Sequence, residues 1–273
     1  MRIALCNEVV AGLPFAAQAR LAASLGYAGL EVAPFTLDAD APHLLPAARR
    51  AELRHIAEGE GAPITSLHWL LVAPAGLSIT SADPALRART LDVMERLIGL
   101  AADLGATLLV HGSPKQRQVA GPGDAGRAEE AMAKAGAWAA AQGLTYCLEP
   151  LDAGQTNWAT TVAEAVEIVA RIASPGLRTM LDASAAGNGE AEPPAALLRR
   201  FVPTGWIAHV HLNDRNRRGP GQGDDRFAPL LRALRETGYG GFCAVEPFDY
   251  HPDGSTAAAR AIGYLQGVME GLP

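Results

Sequence analysis

Four residues of metal-binding or proton-transferring type each end a short apolar run: Glu149, Asp182, His211 and Glu246. Glu149 and Glu246 stand in matching contexts, CLEP and AVEP, and proline follows each directly. A carboxylate at the end of an apolar segment is costly to bury unless it is paired or coordinated. Three carboxylates and one imidazole form a ligand set that suits Mn²⁺ or another divalent metal better than a closed zinc site. The residues therefore predict one divalent cation, with Mn²⁺ favoured and Mg²⁺, Co²⁺ or Zn²⁺ as alternatives.

These residues belong to a longer series of strand ends that includes Glu8, Glu31, His68 and His111. Successive members, from Glu31 onward, are about one strand–helix unit apart. A parallel barrel gathers the C-terminal ends of its strands around one mouth, so distant residues of such a series would become neighbours. The pattern predicts an α/β protein with a single (β/α)8 TIM barrel as one domain over residues 1–273.

The predicted strands are short and apolar, as expected for parallel strands covered on both faces. They are Ile3–Glu8, Gly29–Ala33, Ile64–Trp69, Leu108–Gly112, Thr145–Glu149, Arg178–Asp182, Ile207–Asn213 and Phe242–Pro247. Helical patterns lie between them, at Pro14–Leu25, Ala47–Glu58, Asp83–Leu104, Gly126–Ala141, Thr161–Ala173, Ala195–Phe201, Phe227–Thr237 and Thr256–Glu270. No G-x-G-x-x-G motif follows the first strand, which argues against a dinucleotide-binding fold.

Length and composition narrow the function. A chain of 273 residues matches the ~250 that one barrel needs. The net charge of −6 without a basic stripe argues against nucleic-acid binding. The sequence contains no run of about 18 apolar residues, the length that would predict a membrane span. Cys6, Cys147 and Cys243 each lie within an apolar run, so we expect reduced, buried thiols and a cytoplasmic protein.

The chain resembles the xylose isomerase-like TIM-barrel family of sugar isomerases and epimerases over essentially its whole length. The motifs that carry the resemblance are GLEV (Gly29–Val32), VHGSPKQR (Val110–Arg117), CLEP (Cys147–Pro150), MLD (Met180–Asp182), HVHLND (His209–Asp214), GPGQGDDRF (Gly219–Phe227) and VEPF (Val245–Phe248). In the ketose 3-epimerase branch, the matching positions imply that Glu149, Asp182, His211 and Glu246 hold one divalent metal. The resemblance also implies that Glu149 and Glu246 are the acid/base pair, with Arg217 against the substrate.

Other residues have predicted roles around this centre. His209 precedes His211 by two positions and shares its strand face, so we expect it one layer deeper with a structural role. His68 and His111 are predicted to line the substrate pocket, and Glu31 is a further candidate contact. Lys115 and Arg117 follow the fourth strand and fit either an anion contact or a solvated loop.

Two positions depart from the ketose 3-epimerase pattern. Ala185 stands where that branch has a histidine, and Gln155 stands where it has a second glutamate. Both are substrate-contacting positions in the branch, so Gln155 is expected to meet the substrate with different chemistry. The metal site would survive these changes, whereas a free ketohexose substrate is placed in doubt.

The predicted function is a divalent-metal-dependent isomerase or epimerase that acts on a keto-sugar or sugar derivative through an enediolate. The main alternative is a lyase on a keto-sugar or keto-glycoside, in which β-elimination follows the same proton abstraction. More distant alternatives are an endonuclease IV-like phosphodiesterase and a non-catalytic sugar-binding barrel. The expected partner is a small sugar, and the resemblance suggests a homodimer or homotetramer.

Overall fold

A computed structural model describes residues 1–272 of the chain. At the centre of the molecule is a closed barrel of eight parallel strands. Each strand pairs with its sequence neighbours, and β1 pairs with β8 to close the sheet. The predicted (β/α)8 TIM barrel is confirmed. The strands are β1 (Arg2–Cys6), β2 (Gly29–Val32), β3 (Ile64–Leu67), β4 (Leu108–His111), β5 (Thr145–Leu148), β6 (Leu177–Asp182), β7 (Ile207–Leu212) and β8 (Phe242–Val245).

The α-helices surround this barrel. Those within residues 1–272 are α1 (Phe15–Leu25), α2 (Ala47–Gly59), α3 (Pro84–Leu104), α4 (Asp124–Ala141), α5 (Val162–Ile172), α6 (Ala183–Gly189), α7 (Pro194–Phe201), α8 (Ala228–Glu236) and α9 (Gly254–Glu270). The short helix α6 was not predicted from the sequence. Its residues ASAAGNG lack an apolar face of helical period, and the helix begins where Asp182 caps it.

Local capping residues explain several helix boundaries. Asp83 caps α3 by accepting a hydrogen bond from the Ala85 amide, with Pro84 as the first helical residue. Gly26 ends α1 and Gly105 ends α3, both in the left-handed conformation with φ of 91° and 81°. Because these caps are local, the sequence predicted the helix boundaries to within a few residues.

Most strands end slightly earlier than the sequence predicted. β5 ends at Leu148 and β8 at Val245, so Glu149 and Glu246 lie one residue beyond the ladder. Pro150 and Pro247 follow them, and proline has no N–H to continue strand pairing. Both glutamates therefore lie at the mouth formed by the C-terminal strand ends.

Apolar residues pack mainly between the barrel and the helices, with a smaller cluster inside the barrel. The outer core includes Leu109 and Tyr146, whereas Val110, Cys147 and Met180 pack together in the lumen. Cys6, Cys147 and Cys243 are buried free thiols, as predicted. None of the helices described between residues 1 and 272 is long and apolar enough to span a membrane.

Candidate metal and acid/base site

Glu149, Asp182, His211 and Glu246 converge at the mouth of the barrel. One ligand atom from each lies within 4.8 Å of the others, and all four side chains are buried. His211 Nδ1 is 3.1 Å from Glu149 Oε1, 2.9 Å from Glu246 Oε2 and 3.8 Å from Asp182 Oδ2. The fold thus brings together the four residues that were predicted from the sequence to be metal ligands.

Asp182 is held from two sides. Its Oδ1 accepts a 2.6 Å hydrogen bond from the Ala185 amide at the start of α6. Its Oδ2 accepts a 2.7 Å bond from Asn213 Nδ2, and the same amide group donates to the Glu246 carbonyl at 3.1 Å. Asn213 is itself fixed because its Oδ1 accepts from the Ser184 amide. Sequence reasoning assigned no role to Asn213, although its position one residue after β7 was a signal.

Glu149 is held through its backbone and by a close glycine. Its carbonyl accepts a 2.6 Å hydrogen bond from Arg117 Nη1, and its amide donates to the His111 carbonyl at 3.2 Å. Gly112 faces the carboxylate so closely that a Cβ there would overlap Glu149 Oε2. Arg117 is fully buried, so the solvated loop suggested by the sequence does not describe its position, whereas the anion contact stays a prediction. Its guanidinium instead joins the ends of β4 and β5.

The charged groups of the cluster shift one another's pKa values, some upward and some downward. Burial raises the pKa of Asp182, and neighbouring Glu149 and Glu246 raise it further. Burial also disfavours ionisation of Glu246, but His211 and His68 outweigh it and hold the pKa of that carboxyl below its ordinary value. Burial lowers the pKa of His211, whereas Glu246 and Glu31 oppose this and hold it well above the ordinary value. Carboxylate repulsion at Asp182 is the kind that a bound cation would relieve.

A small cavity of about 40 Å³ lies directly over Glu149 and Glu246. His68 and Arg217 line it, as does Gln155, so three of the predicted substrate-binding residues are located at its wall. Trp69 and Phe248 form an aromatic edge there, with ring centroids 6.2 Å apart. A larger cavity of about 380 Å³ lies elsewhere, beside α6 and α7, and the four clustered residues do not line it.

Arg217 reaches the cavity from an unusual backbone conformation. Its φ is 71°, and its carbonyl accepts hydrogen bonds from the amides of Phe248 and Asp249. The guanidinium carbon lies 5.0 Å from the centre of the Phe248 ring, within range of a cation–π contact. The loops after β7 and β8 are thereby joined, and a cationic group is fixed at the edge of the cavity.

Two predicted substrate contacts are not brought to the cavity. His111 shares the outward face of β4 with Leu109, and its Nδ1 lies 2.8 Å from the Tyr146 hydroxyl. Burial lowers the pKa of His111 to about 3, and Arg117 acts in the same direction. Glu31 points into the lumen but lies below His211, fully buried. Neither residue lines the cavity.

His209 lies one layer below His211, as the strand period predicted. Its Nε2 is 2.8 Å from Glu31 Oε2, within ion-pair distance but outside hydrogen-bond geometry. The two histidine rings meet edge to face with centroids 5.0 Å apart. His209 is therefore part of the packing beneath the site.

Comparison with known proteins points in the same direction as this geometry. A family model described as xylose isomerase-like TIM barrel matches residues 19–268. The chain is 27% identical over 203 residues to a D-psicose 3-epimerase of Ruminiclostridium cellulolyticum, covering 72% of this chain and 67% of that protein. It is 24% identical over 240 residues to a fructoselysine 3-epimerase of Escherichia coli O157:H7, covering 86% of each. An L-ribulose 3-epimerase of Mesorhizobium japonicum is 28% identical, but the match spans only 59% of its length.

Solved structures share the fold across nearly the whole chain. A D-psicose 3-epimerase determined in the presence of D-fructose superposes with a TM-score of 0.83 and 21% identity, covering 99% of this chain and all of that one. A 3-keto-D-glucoside 4-epimerase from E. coli gives a TM-score of 0.82 and 20% identity, covering 98% of this chain and 99% of that one. At these identities the likeness establishes the fold.

Proposed function

Since this chain belongs to the xylose isomerase-like TIM-barrel family, we propose that it is an enzyme that epimerises or isomerises a keto-sugar or sugar derivative with the help of one divalent cation. The observation that carries the proposal is the position of Glu149 and Glu246. Both carboxylates belong to the four-residue cluster, and both also line the cavity. A group that can hold a metal and also meet the substrate is what this chemistry requires.

The donor set fits a hard divalent cation. Three carboxylates and the Nδ1 atom of His211 supply oxygen and nitrogen ligands, and Mn²⁺ is the ion we favour. Glu149, Asp182, His211 and Glu246 would hold it. When bound, the cation would polarise the carbonyl and adjacent hydroxyl of the sugar and so make the neighbouring C–H more acidic.

Epimerisation needs a base on one side of the substrate and an acid on the other. Glu149 follows β5 and Glu246 follows β8, so they approach the mouth from strands that are not neighbours in the barrel. One glutamate, as the carboxylate, removes the proton on the carbon next to the carbonyl, which leaves an enediolate, and the other, as the carboxylic acid, returns its proton on the opposite face. His68 Nδ1 lies 3.3 Å from Glu246 Oε1 and orients that carboxylate.

Arg217 supplies a fixed positive charge at the cavity. Its guanidinium would face the oxygen atoms that gain negative charge as the proton leaves. The aromatic edge of Trp69 and Phe248 offers an apolar surface for the carbon skeleton of a sugar. These contacts orient the substrate over the two glutamates and exclude water from one side.

We infer the substrate class from the cavity and from two departures from the family pattern. Gln155 presents a neutral amide at the cavity, and Ala185 presents only a methyl group beside Asp182. Two hydrogen-bonding groups that would hold a free ketohexose are therefore changed. Two of the similar proteins are named for derivatised sugars, fructoselysine and a 3-keto-glucoside. We propose a keto-sugar that carries a substituent.

Proton exchange tests this proposal. The protein, loaded with Mn²⁺, is incubated in deuterated water with ketohexoses, a fructosamine and 3-keto-glucosides, and products are followed by NMR and mass spectrometry. Deuterium at the carbon next to the carbonyl of an epimer or isomer supports the proposal. Release of an aglycone or of water would instead identify the lyase alternative. Absence of exchange across the whole panel would overturn the proposed activity.

The predicted homodimer or homotetramer and the predicted cytoplasmic location stay predictions. A sedimentation measurement of the purified chain would determine the first. Neither is needed for the proposed chemistry, because the clustered residues all come from one chain.

A further inference from the structure

A buried carboxylate lies directly beneath the candidate metal ligand His211. Glu31 Oε1 is 2.7 Å from His211 Nε2, and both side chains are fully buried. The other ring nitrogen, Nδ1, faces Glu149 and Glu246. The two nitrogens lie on different sides of the imidazole, so whatever holds Nε2 also determines where Nδ1 points.

Glu31 is itself fixed by residues from three other strands. Ser66 Oγ donates a hydrogen bond to Oε2, and Cys6 Sγ lies 3.7 Å from Oε1. His209 Nε2 lies 2.8 Å from Oε2. In register, Glu31 pairs with Cys6 of β1 and with Ser66 of β3. A carboxylate that is contacted from β1, β3 and β7 cannot rotate freely, so it can serve as a rigid acceptor.

The hydrogen-bond surroundings of Glu31 suit this role. Ser66 Oγ donates to Oε2, so this carboxylate oxygen acts as an acceptor. When Oε1 accepts in the same way, the hydrogen between Glu31 Oε1 and His211 Nε2 belongs to the ring nitrogen. The lone pair of a neutral His211 is then on Nδ1, which faces the cluster.

Two other roles for Glu31 fit the structure less well. Contact with a substrate would require access to the cavity, which Glu31 does not line. A second cation held by Cys6, Glu31, His68 and His211 is conceivable from their spacing. That site would compete with the 2.7 Å bond between Glu31 and His211 and would leave one imidazole shared between two metals.

We propose that Glu31 is a positioning residue for the metal centre, which selects the tautomer and ring orientation of His211 so that Nδ1 is free to bind the cation. Metal-binding histidines commonly donate their second N–H to a carboxylate, and loss of such a partner costs about 10- to 100-fold in metal affinity. The inference rests on the proposed function only in requiring that His211 binds a metal.

The test is direct metal binding rather than turnover. Each protein is stripped with a chelator and titrated with Mn²⁺ by calorimetry, and the unfolding temperature of the metal-free form is measured beside it. Glu31→Leu should weaken Mn²⁺ binding by about 10- to 100-fold. Glu31→Gln keeps a carbonyl acceptor for His211 Nε2 and should lose less than Glu31→Leu.

Two further variants keep the result interpretable. Tyr27→Phe removes a buried hydrogen bond to the Ala258 carbonyl, which involves neither Glu31 nor the four clustered residues, and should leave Mn²⁺ affinity unchanged. Ser66→Ala removes the donor to Glu31 Oε2 without changing Glu31 and should weaken binding by a few-fold. If Glu31→Leu does not fold, Ser66→Ala and Glu31→Gln carry the test.

The outcomes separate this inference from the proposed function. Wild-type protein that binds no divalent cation would overturn the metal-dependent function itself. A second outcome would overturn the role of Glu31 alone. In it, the wild type binds one Mn²⁺, and the affinity is undiminished in folded Glu31→Leu, Glu31→Gln and Ser66→Ala. Two cations per wild-type chain, with loss of one in Cys6→Ser, would replace the positioning role with a second metal site.

Discussion

Gly112 and the carboxylate of Glu149 are packed so closely that no side chain fits between them. Gly112 lies one residue beyond β4 on the inward face, and Glu149 lies one residue beyond β5. The absence of a Cβ at residue 112 therefore determines where the candidate acid/base group can stand. The position of the Glu149 carboxylate thus explains why the HGSP sequence has a glycine at residue 112.

Gly112→Ala is expected to displace the Glu149 carboxylate and to lower kcat/KM by about 100-fold, the scale of a misplacement of about 1 Å at a reacting group. Steady-state kinetics on the substrate found by proton exchange measures this. The matched control is Gly99→Ala in α3, where a Cβ meets open space and a small gain in helix stability is expected. Equal activity in both variants would show that Glu149 tolerates the shift.

Glu246→Gln should remove proton transfer but keep an oxygen that can bind metal. We expect kcat to fall by about 10²- to 10⁴-fold, the usual contribution of a general acid or base. Calorimetric titration with Mn²⁺ should still detect binding, although weaker than in wild type. Glu236→Gln, an exposed glutamate on α8 that pairs with Arg199, is the control. Full activity of Glu246→Gln would refute the acid/base role.

Asn213→Ala should weaken the metal centre by freeing Asp182. Asn213 donates to Asp182 Oδ2 and to the Glu246 carbonyl, so its loss disturbs two candidate ligands together. A loss of about 10- to 100-fold in Mn²⁺ affinity is expected, as for other partners of metal ligands. Asn157→Ala, which removes a loop hydrogen bond to the Val119 carbonyl, provides the comparison. Matching affinities in the two variants would contradict this explanation.

Arg217→Ala and Arg217→Gly separate the side chain from the backbone. Both remove the guanidinium from the cavity, so both should lower kcat/KM to a similar extent. Only glycine adopts a φ of 71° without strain, so Arg217→Gly should be more stable than Arg217→Ala by about 1 kcal/mol. Urea unfolding and kinetics on the pair provide both readouts. A large activity difference between them would mean that loop conformation, rather than charge, dominates.

His111 should make folding stability sensitive to acid. Burial lowers its pKa to about 3, below the value of about 6.5 in the unfolded chain, so the unfolded state binds the proton first as pH falls. The contribution of His111 to the free energy of unfolding is fully present above about pH 6.5. It is lost as the pH falls towards 3, at roughly 1.4 kcal/mol per pH unit. Urea unfolding between pH 5 and pH 8 measures the slope.

His111→Gln keeps a polar partner for the Tyr146 hydroxyl but does not titrate in this range. Its stability curve should therefore be flatter than that of wild type below pH 6.5. His55→Gln is a control because His55 is exposed on α2. Parallel curves for wild type and His111→Gln would show that His111 is already protonated in the folded protein or is accessible to solvent.

Much of the site was predictable from local pattern. Glu149, Asp182, His211 and Glu246 each end an apolar run, and the alternation of strands and helices requires that such ends meet in a parallel barrel. His209 was correctly placed below His211 because residues two apart share a strand face. Matching contexts such as CLEP and VEPF identified the paired glutamates before any contact between them was known.

Other residues could be placed only by the tertiary structure. Periodicity states that alternate residues share a face, but it does not state which face looks inward or how far each strand is shifted along the barrel. His111 therefore looked like a pocket residue although it points towards the helices, and Glu31 looked like a substrate contact although it lies beneath His211. The amino-acid sequence by itself determined the barrel and the chemical types at its mouth, because strand period and helix caps are local. The stagger of the closed sheet decided which side chains reach the cavity. It also decided which side chains hold the others in place, among them Glu31, Asn213 and Arg117.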